Sequence, residues 1–563
     1  MISSYYREVL SKYGYDKGRS FIHQVIDHLE EEWEEDRKKL FVVEAPTGYG
    51  KSTITATLAQ MVYDDGGKMI AAYPLRALLE DQHLKLQKIL NNSYIIGKQY
   101  MYRHESPYLI KPITLTTVDS LSLTMFGLAP EDINRIIKNW DEWSGTTTGS
   151  AGHYLFSWST VLLSDLVLDE VHLLTDETRS LNYLAALMNY AAKNEMHLIL
   201  MSATLPDALR RELRSCLGKF QNRLSWLEYY DPEFDGERLE KTYGLNFEKL
   251  KDDKHERILH RLVEGWSSGF TKALVVFNRV RDAMEFYTLC KERIDVDEDH
   301  IILLHSLFTN KDREDKSKKL NKLKSSEKYV VVTTQVVEAG VDMSSNLLIT
   351  ELAPANSLVQ RFGRFLRYGE KDGMSYIWVD GSLNTDKGRY KVYDKTLCMR
   401  TLEYLEKNLE KIKMHIPTGE NGYKRMLNYV YDYFEVSSRD VEDMLLTFTN
   451  FDSVSDAVKI FMKVEGSFVG RTTLTAVIPQ NLGEAIPVDF NRWRKLVEKD
   501  MIKEVLTIEG NPITLEELRR IRDVEHFLKY TAKKNVCAFK TGCFYDGELG
   551  LLFDMGEGDA EDL

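Results

Sequence analysis

The segment APTGYGKST, residues 45 to 53, has the composition of a loop that binds phosphate groups. The phosphate-loop pattern is GxxxxGK[ST], and here Ala45 replaces the first glycine while Gly50, Lys51 and Ser52 are in place. Glycines let backbone N–H groups turn toward phosphate oxygens, a lysine can reach the β- and γ-phosphates, and a serine hydroxyl can hold Mg²⁺. We therefore predict a nucleotide site with the following contacts: Thr47, Gly48, Gly50, Lys51, Ser52 and Thr53.

Two adjacent carboxylates, Asp169 and Glu170, come directly after the apolar run LVL. Burial of two negative charges is costly unless a partner compensates them. A phosphate-bound Mg²⁺ would supply that counter-charge, so we predict that Asp169 holds the metal. Glu170 is then placed to act as a general base that polarises a water molecule toward the γ-phosphate. The structural alternative is a pair of solvated carboxylates.

The segment LVQRFGRFLRYGE, residues 358 to 370, carries Gln360, Arg364 and Arg367. On a helix these positions fall at i, i+4 and i+7, and therefore share one face. The segment follows an apolar run and a Pro-containing turn, so we expect its helix to begin at the carboxyl edge of a sheet, where α/β proteins bind ligands. An arginine there could stabilise charge on a transferring phosphoryl group. The structural alternative is a strip of surface salt bridges.

Short apolar runs that alternate with helical stretches must position these groups. They form two series, 40–45, 69–75, 113–118, 159–170 and 197–204, then 272–277, 300–305, 329–334, 347–352 and 376–381. Apolar runs that are separated by helices are typical of parallel sheets buried on both faces. The sequence thus predicts an α/β fold with two domains. Residues 218–260 are polar and lack this rhythm, and after residue 385 the pattern changes to helices mixed with short strands.

The composition is that of a globular chain and excludes several classes of protein. Of the 563 residues, 43% are hydrophobic and 29% are charged. We see neither a secretory leader nor an apolar stretch near the ~20 residues that a membrane helix needs, and the five cysteines form no CxxC pair. We expect a reducing cytoplasm and no membrane partner. The net charge of −13 argues mildly against nucleic acid, although residues 311–328 are basic.

Taken in order, APTGYGKS, DEVH, SAT, TTQVVEAGVD and QRFGRFLR resemble the motifs of a superfamily 2 helicase. TTQVVEAGVDMSSNLLITELAPANSLVQRFGRFLRYGE and HSLFTNKDR are similar to segments of the CRISPR-associated helicase of type I interference systems. The resemblance implies two tandem RecA-like domains with parallel sheets, at 1–222 and 223–385, followed by a mostly helical C-terminal accessory domain at 386–563. The last of these is matched by size and position rather than by motif.

The resemblance also implies an activity and a set of site residues. The activity is ATP-driven, 3′ to 5′ movement along single-stranded DNA after recruitment to a guide-RNA surveillance complex, with ATP and Mg²⁺ bound. Arg364 and Arg367 would be arginine fingers, with Gln360 beside them in the catalytic set. The remaining implied roles are Gly340 and Asp342 at the nucleotide, Gln24 at adenine, His172, Ser202 and Thr204 in coupling nucleotide state to DNA, and Arg76, Thr117, Asn278, Arg279 and Thr334 at the DNA backbone.

The chain departs from the family in one respect. Many members begin with a histidine–aspartate metal nuclease domain, whereas the helicase pattern opens here within about 25 residues and the thirteen histidines include no His-Asp dipeptide. We therefore expect a stand-alone helicase subunit that does not cut DNA, with a separate nuclease subunit as partner. The open alternatives are an RNA or DNA-repair helicase of the same superfamily, a non-enzymatic scaffold, and a restriction-type translocase on duplex DNA.

Overall fold

The computed structural model of the chain describes residues 1–34, 40–92, 94–100, 103–141, 146–147, 152–250, 253–323, 328–338, 340–384, 389–390, 392–449, 454–469, 475–508 and 513–553. These residues divide into two compact units, which we describe one at a time. Unit 1 comprises Met1–Asp231, Tyr433–Ala476 and Val488–Phe539, and unit 2 comprises Pro232–Asp432, Val477–Pro487 and Lys540–Leu563.

Unit 1 is built on a sheet that has, within the described residues, the strand order β10-β1-β9-β8-β2-β5-β3-β4. Its neighbours are parallel except for the β3–β4 pair, and β1, β2, β5 and β9 are buried along their whole length. The strands of this part of the chain are β1 (Leu40–Glu44), β2 (Met69–Tyr73), β3 (Ile96–Tyr100), β4 (Arg103–His104), β5 (Ile113–Thr117), β6 (Trp140–Asp141), β7 (Thr146–Thr147), β8 (Asp165–Leu168), β9 (Leu198–Ser202) and β10 (Leu224–Leu227).

Helices connect these strands, as parallel pairing requires. They are α1 (Ile2–Tyr13), α2 (Ser20–Glu34), α3 (Ser52–Asp65), α4 (Arg76–Leu90), α5 (Val118–Met125), α6 (Ile133–Lys138), α7 (Gly152–Leu162), α8 (Thr178–Lys193) and α9 (Asp207–Cys216), with 3-10 turns at Pro107–Leu109, Val171–Leu174 and Gly218–Arg223. From Leu181 to Ala192, α8 is buried at every position except Asn189.

Unit 2 is built on a second sheet, and in the described part of the chain its strands are all parallel, in the order β11-β16-β15-β12-β14-β13. Its strands, together with the short β17–β18 hairpin, are β11 (Thr242–Leu250), β12 (Lys272–Val276), β13 (Ile301–Leu304), β14 (Tyr329–Thr333), β15 (Leu347–Glu351), β16 (Asp372–Asp380), β17 (Arg389–Tyr390) and β18 (Tyr393–Asp394). Its helices are α10 (Pro232–Leu239), α11 (Lys254–Ser267), α12 (Val280–Arg293), α13 (Asn310–Leu323), α14 (Ala355–Phe362), α15 (Lys395–Asn408) and α16 (Lys424–Val430), with 3-10 turns at Glu298–His300, Gln335–Val337 and Gly381–Asn384.

The region after α16 continues with helices and short strands. Strands β19 to β22 form a small sheet in the order β20-β19-β22-β21, and β23 pairs with β24 in a hairpin. The elements are α17 (Ser438–Thr449), α18 (Val454–Lys463), β19 (Thr475–Ile478), β20 (Ile486–Val488), α19 (Phe490–Glu498), β21 (Ile502–Thr507), α20 (Leu515–Arg519), α21 (Val524–Lys533), β22 (Val536–Thr541), β23 (Phe544–Asp546) and β24 (Gly550–Leu552).

C-terminal residues complete the hydrophobic core of unit 1. The rings of Phe448 and Phe468 pack against Phe126, with centroid distances of 4.4 and 3.8 Å. All three side chains are buried, and burial of one such ring contributes about 1.5–3 kcal/mol. Residues 386–563, predicted as one accessory domain, are therefore shared between the two units. The predicted domain boundaries at 222 and 385 stay a prediction. The first of the three segments that form unit 1 runs to Asp231.

The predicted α/β class with two parallel sheets is confirmed, and one local expectation is wrong. The apolar run 159–170 is the end of α7 followed by the four-residue strand β8, not one strand. Residues 218–260, which lack the apolar rhythm, contribute edge strands to both sheets. In β11 the exposed and half-buried side chains alternate, because an edge strand need not be apolar on both faces.

Within the residues that the structure describes, no helix combines the length and the apolar character needed to cross a lipid bilayer. The five cysteines, which all lie in the described ranges, are free thiols.

Candidate active site

The loop between β1 and α3 carries the predicted phosphate contacts. Gly48 and Gly50 have φ angles of 79° and 107°, a left-handed conformation that L side chains rarely adopt, so glycine is favoured at both positions. A Cβ at Gly50 would meet no atom within 4 Å, so the loop is open on that side. Lys51 is 6% exposed, and its Nζ donates to the Ala45 carbonyl at 2.8 Å. The loop therefore presents the N-terminal end of α3 and one lysine to an anion.

The carboxylate pair lies beside this loop. The sheet order places β9 between β1 and β8, and the register sets Glu44 beside Ser202 and Leu168 beside Leu200. The segments after β1, β8 and β9 therefore leave the sheet at the same edge.

Asp169 follows β8 and is only 7% exposed. Its Oδ1 accepts from the Glu170 N–H at 2.8 Å. Burial raises the pKa of the Asp169 carboxyl above its ordinary range, the Glu170 charge raises it further, and the Lys51 charge opposes both. Lys51 and Asp169 therefore interact electrostatically, as a shared phosphate and metal site requires.

Glu170 and His172 are held by the neighbouring strand. Glu170 has a left-handed φ of 53°, which is uncommon for a residue with a side chain and is typical of functional sites. Its Oε2 lies 3.4 Å from His172 Nδ1. The Ser202 hydroxyl at the end of β9 is within 3.3 Å of the His172 N–H and 3.2 Å of Nδ1. The predicted coupling residues His172 and Ser202 are thus in direct contact, while Thr204 is buried two residues beyond Ser202.

Sequence reasoning missed several residues that hold the loop in place. Glu44, the last residue of β1, is 3% exposed, and its carboxylate accepts from the Leu205 N–H at 2.9 Å and from the Trp226 indole. Tyr49 donates its hydroxyl to Asp231 and accepts from the Phe21 N–H at 3.0 Å. An ionisable residue at the end of an apolar strand was the available signal for Glu44.

The other predicted residues of unit 1 are placed as follows. Gln24 is exposed on α2, one turn after the Phe21 N–H that contacts the loop. Arg76 begins α4, and its guanidinium lies 5.6 Å from the centroid of the Tyr100 ring. Thr117 caps α5, since its Oγ1 accepts from the Ser120 N–H at 3.2 Å.

The arginine segment of unit 2 differs from the prediction. Helix α14 ends at Phe362, so Gln360 is helical whereas Arg364 and Arg367 lie beyond the helix, and the predicted common helix face is wrong. The physical reason is tertiary pairing with the segment at Ser345. The Ser345 N–H donates to the Arg364 carbonyl at 2.9 Å, and the Leu366 N–H donates to the Ser345 carbonyl at 2.7 Å.

The predicted catalytic side chains of this segment differ in exposure. Gln360 is buried. Arg364 is 5% exposed, and its guanidinium donates to the carbonyls of Val337 and Glu338 at 3.1 and 3.4 Å. Arg367 is one-fifth exposed and lies 3.6 Å from the Asp342 carboxylate.

The residues predicted to contact the nucleotide and DNA from unit 2 also have internal partners. Asp342, predicted at the ribose, accepts from the Tyr368 hydroxyl, and Gly340 has a left-handed φ of 86°. Arg279 pairs with Asp282 at 3.1 Å, and Thr334 is buried.

Asn278, predicted as a DNA contact, is 1% exposed. Its amide donates to the Leu352 carbonyl at 2.8 Å and accepts from Arg361 at 3.0 Å, which does not favour a contact of this side chain with DNA.

Two family models match this chain. A DEAD/DEAH box helicase model matches residues 23–211, and a model of the C-terminal part of the CRISPR-associated nuclease/helicase Cas3 matches residues 270–370. The matched ranges contain the phosphate loop, the carboxylate pair and the arginine segment. The chain is thus similar to DEAD/DEAH box helicases over its first matched range and to the CRISPR-associated Cas3 helicases over its second.

Proteins similar to this chain come from several prokaryotes. The putative CRISPR-associated nuclease/helicase Cas3 of Methanocaldococcus jannaschii is 24% identical over 592 residues, which covers 94% of this chain and 70% of the relative. The CRISPR-associated nuclease/helicase Cas3 of Methanothermobacter thermautotrophicus is 24% identical, covering 86% of this chain and 58% of the relative. The CRISPR-associated helicase Cas3 of Thermoproteus tenax is 26% identical, covering 66% and 60%. The chain thus spans between 58 and 70% of the length of these relatives.

Solved structures share the fold of this chain. The crystal structure of T. fusca Cas3–ATP matches with a TM-score of 0.62 at 15% identity, covering 97% of this chain and 72% of that one. A chain of a CRISPR RNA-guided surveillance complex in a pre-nicking state matches with a TM-score of 0.53 at 16% identity, covering 93% and 70%. The match of residues 23–211 to the DEAD/DEAH box helicase model implies that the chain binds ATP.

Proposed function

We propose that this chain is an ATP-driven helicase that moves 3′ to 5′ along single-stranded DNA and unwinds target DNA in type I CRISPR interference. It acts after recruitment to a guide-RNA surveillance complex in the cytoplasm, with no membrane partner. The observation that carries the proposal is the meeting of Lys51, Asp169 and Glu170 at one edge of the unit 1 sheet. The Cas3 relatives support the assignment to CRISPR interference.

The residues at this edge fit Mg²⁺. Asp169 is a buried carboxylate whose charge is disfavoured by burial and by Glu170, and a divalent cation would compensate it. Among the described residues, none forms a hydrogen bond with the Ser52 hydroxyl at the start of α3. Carboxylate and hydroxyl oxygens are ligands that Mg²⁺ prefers, so Asp169 and Ser52 would hold the ion. When bound, the ion neutralises negative charge on the β- and γ-phosphates.

The remaining residues of the edge divide the chemistry between them. Lys51 exchanges its bond to the Ala45 carbonyl for the phosphates. Glu170 orients the attacking water and accepts its proton, because its carboxylate is held at the edge beside His172. The His172–Ser202 contact links Glu170 to the end of β9, so a change at the nucleotide reaches two strands at once.

Unit 2 supplies cationic groups in this proposal. Arg364 and Arg367 stabilise negative charge on the phosphoryl group in the transition state, as arginine fingers do. Gln360 belongs to the catalytic set with these arginines, and Gly340 and Asp342 face the nucleotide. Gln24 contacts adenine. The DNA phosphates are contacted by Arg76, Thr117, Arg279 and Thr334, and such contacts do not depend on the base sequence.

We also propose that a separate histidine–aspartate nuclease subunit cuts the unwound strand. In support, none of the thirteen histidines of this chain precedes an aspartate. The two histidines of its last third do not form a metal cluster either, since His415 is buried with Nε2 2.9 Å from the Phe365 carbonyl and His526 lies on α21. Burial lowers the pKa of His415 to about 3, so it stays neutral.

Steady-state ATP hydrolysis tests the nucleic-acid partner. The purified protein is assayed without nucleic acid and with single-stranded DNA, RNA of the same sequence and blunt duplex DNA, at equal nucleotide concentration. All four assays use one salt concentration, since phosphate contacts depend strongly on salt. We expect single-stranded DNA to stimulate hydrolysis far more than RNA or duplex DNA.

Each alternative result of this assay would assign the protein to a different functional class. Preferential stimulation by RNA would contradict the DNA assignment and favour an RNA helicase, in which recognition involves the 2′-hydroxyl. Stimulation by blunt duplex alone would favour a restriction-type translocase. Absence of hydrolysis under every condition would favour a scaffold with a degenerate ATP site.

A further inference from the structure

The arginine finger Arg364 is held by two backbone carbonyls of one short turn. Its Nε donates to Val337 at 3.1 Å, and one terminal nitrogen donates to Glu338 at 3.4 Å. Both acceptors lie at the end of the 3-10 turn Gln335–Val337. The direction of the Arg364 side chain therefore depends on how firmly this turn is fixed.

The Glu338 side chain fixes the turn through three donors. Its carboxylate is 6% exposed and accepts from Ser357 Oγ at 2.9 Å, from Arg361 Nε at 3.0 Å and from the Tyr393 hydroxyl at 2.7 Å. Ser357 and Arg361 belong to α14, the helix that precedes Arg364. Tyr393 comes from β18, which lies outside every helicase motif of the sequence.

Tyr393 contacts both charged members of this network. Its hydroxyl donates to Glu338 and accepts from a terminal nitrogen of Arg361 at 3.0 Å. Burial raises the pKa of Tyr393 far above its ordinary value, and the Glu338 charge raises it further, so the phenol keeps its proton and remains a donor at neutral pH. A buried carboxylate that loses one donor is left with an unmet hydrogen bond, which is costly.

We propose that Tyr393 is a positioning residue for Arg364, because its hydroxyl fixes the Glu338 side chain whose main-chain carbonyl holds the arginine. The inference rests on the proposed function, in which Arg364 acts on the transferring phosphoryl group. It assigns a role in ATP hydrolysis to the β17–β18 hairpin, which joins the second sheet to α15.

The test compares two tyrosines of this hairpin. Tyr393→Phe removes the hydroxyl that donates to Glu338 and keeps the ring. Tyr390→Phe is the matched control, since Tyr390 is also buried, pairs with Tyr393 across the hairpin, and donates to Glu351 at 3.0 Å instead. We expect Tyr393→Phe to lower kcat of the DNA-stimulated ATPase about 10-fold with little change in KM for ATP, and Tyr390→Phe to leave kcat near the parent value.

A double-mutant cycle shows whether Tyr393 acts through Arg364. If it does, Arg364→Ala combined with Tyr393→Phe should hydrolyse ATP no more slowly than Arg364→Ala alone. Additive losses, equal losses in the two tyrosine variants, or an unchanged kcat in Tyr393→Phe would each overturn the inference while leaving the proposed function intact. A parent protein without ATPase activity would overturn the proposed function, and this inference with it.

Discussion

Replacing Glu170 by glutamine should lower kcat for ATP hydrolysis by about 10²–10⁴-fold, the usual contribution of a general base. The amide keeps the size of the side chain but cannot take a proton from water. Because Glu170 is not one of the phosphate contacts, KM for ATP and the binding of a fluorescent nucleotide analogue should change little. The measurement is steady-state hydrolysis with saturating single-stranded DNA, together with equilibrium titration of the analogue.

Glu177→Gln is the matched control for this variant. Glu177 is an exposed carboxylate seven positions further along the chain, at the start of α8, and its side chain caps no helix N–H. Hydrolysis by Glu177→Gln should equal that of the parent. A Glu170→Gln variant that still turns over ATP near the parent rate would remove Glu170 from the role of base, and the sheet edge would need another one.

Replacing Lys51 by alanine should abolish ATP turnover with little loss of folding stability. Among the described residues, Nζ donates one hydrogen bond, to the Ala45 carbonyl at 2.8 Å, so the fold depends little on it. Without this side chain, the bound nucleotide loses a charge-assisted hydrogen bond. The transition state also loses the stabilisation that a fixed positive charge provides. We expect kcat/KM to fall by at least about 10³-fold.

Thermal unfolding in the presence and absence of ATP separates the two effects of this substitution. Lys51→Ala should unfold near the parent temperature without ATP and should lose most of the stabilisation that ATP gives the parent. Lys88→Ala, which removes an exposed lysine from α4 and changes the net charge equally, should keep both properties. Parent-like hydrolysis by Lys51→Ala would show that the loop at 45–53 does not bind the transferred phosphates.

The phosphate loop and the carboxylate pair could be predicted because each is a local pattern. Residues 45–53 need only glycines, a lysine and a following helix, and Asp169 needs only to follow a buried strand. The parallel sheets could be predicted for a similar reason, since strands buried on both faces are apolar almost throughout. The edge strands β10 and β11 escaped prediction because one of their sides is not covered by a neighbouring strand.

Features that depend on contacts distant in sequence could not be predicted. The spacing of residues 360, 364 and 367 predicts one continuous helix. In the structure, α14 ends at Phe362 because Arg364 and Leu366 pair with Ser345. Asn278 was predicted at DNA, but it is bonded to Arg361 and Leu352, 83 and 74 positions away. Glu44 directly precedes the phosphate-loop segment and Glu338 lies inside TTQVVEAGVD, and only the structure reveals the partners of their carboxylates.

The most direct test of ATP-driven, 3′ to 5′ unwinding of DNA is strand displacement from DNA with tails of defined polarity. Two substrates share one duplex and carry a single-stranded DNA tail on either the 3′ or the 5′ side, and a third carries a 3′ tail of RNA. We expect ATP-dependent release from the 3′ DNA tail alone, no release with Glu170→Gln, and full-length strands afterwards in the presence of Mg²⁺. Release only from the 5′ tail, a requirement for the RNA tail, or shortened strands without an added nuclease would contradict it.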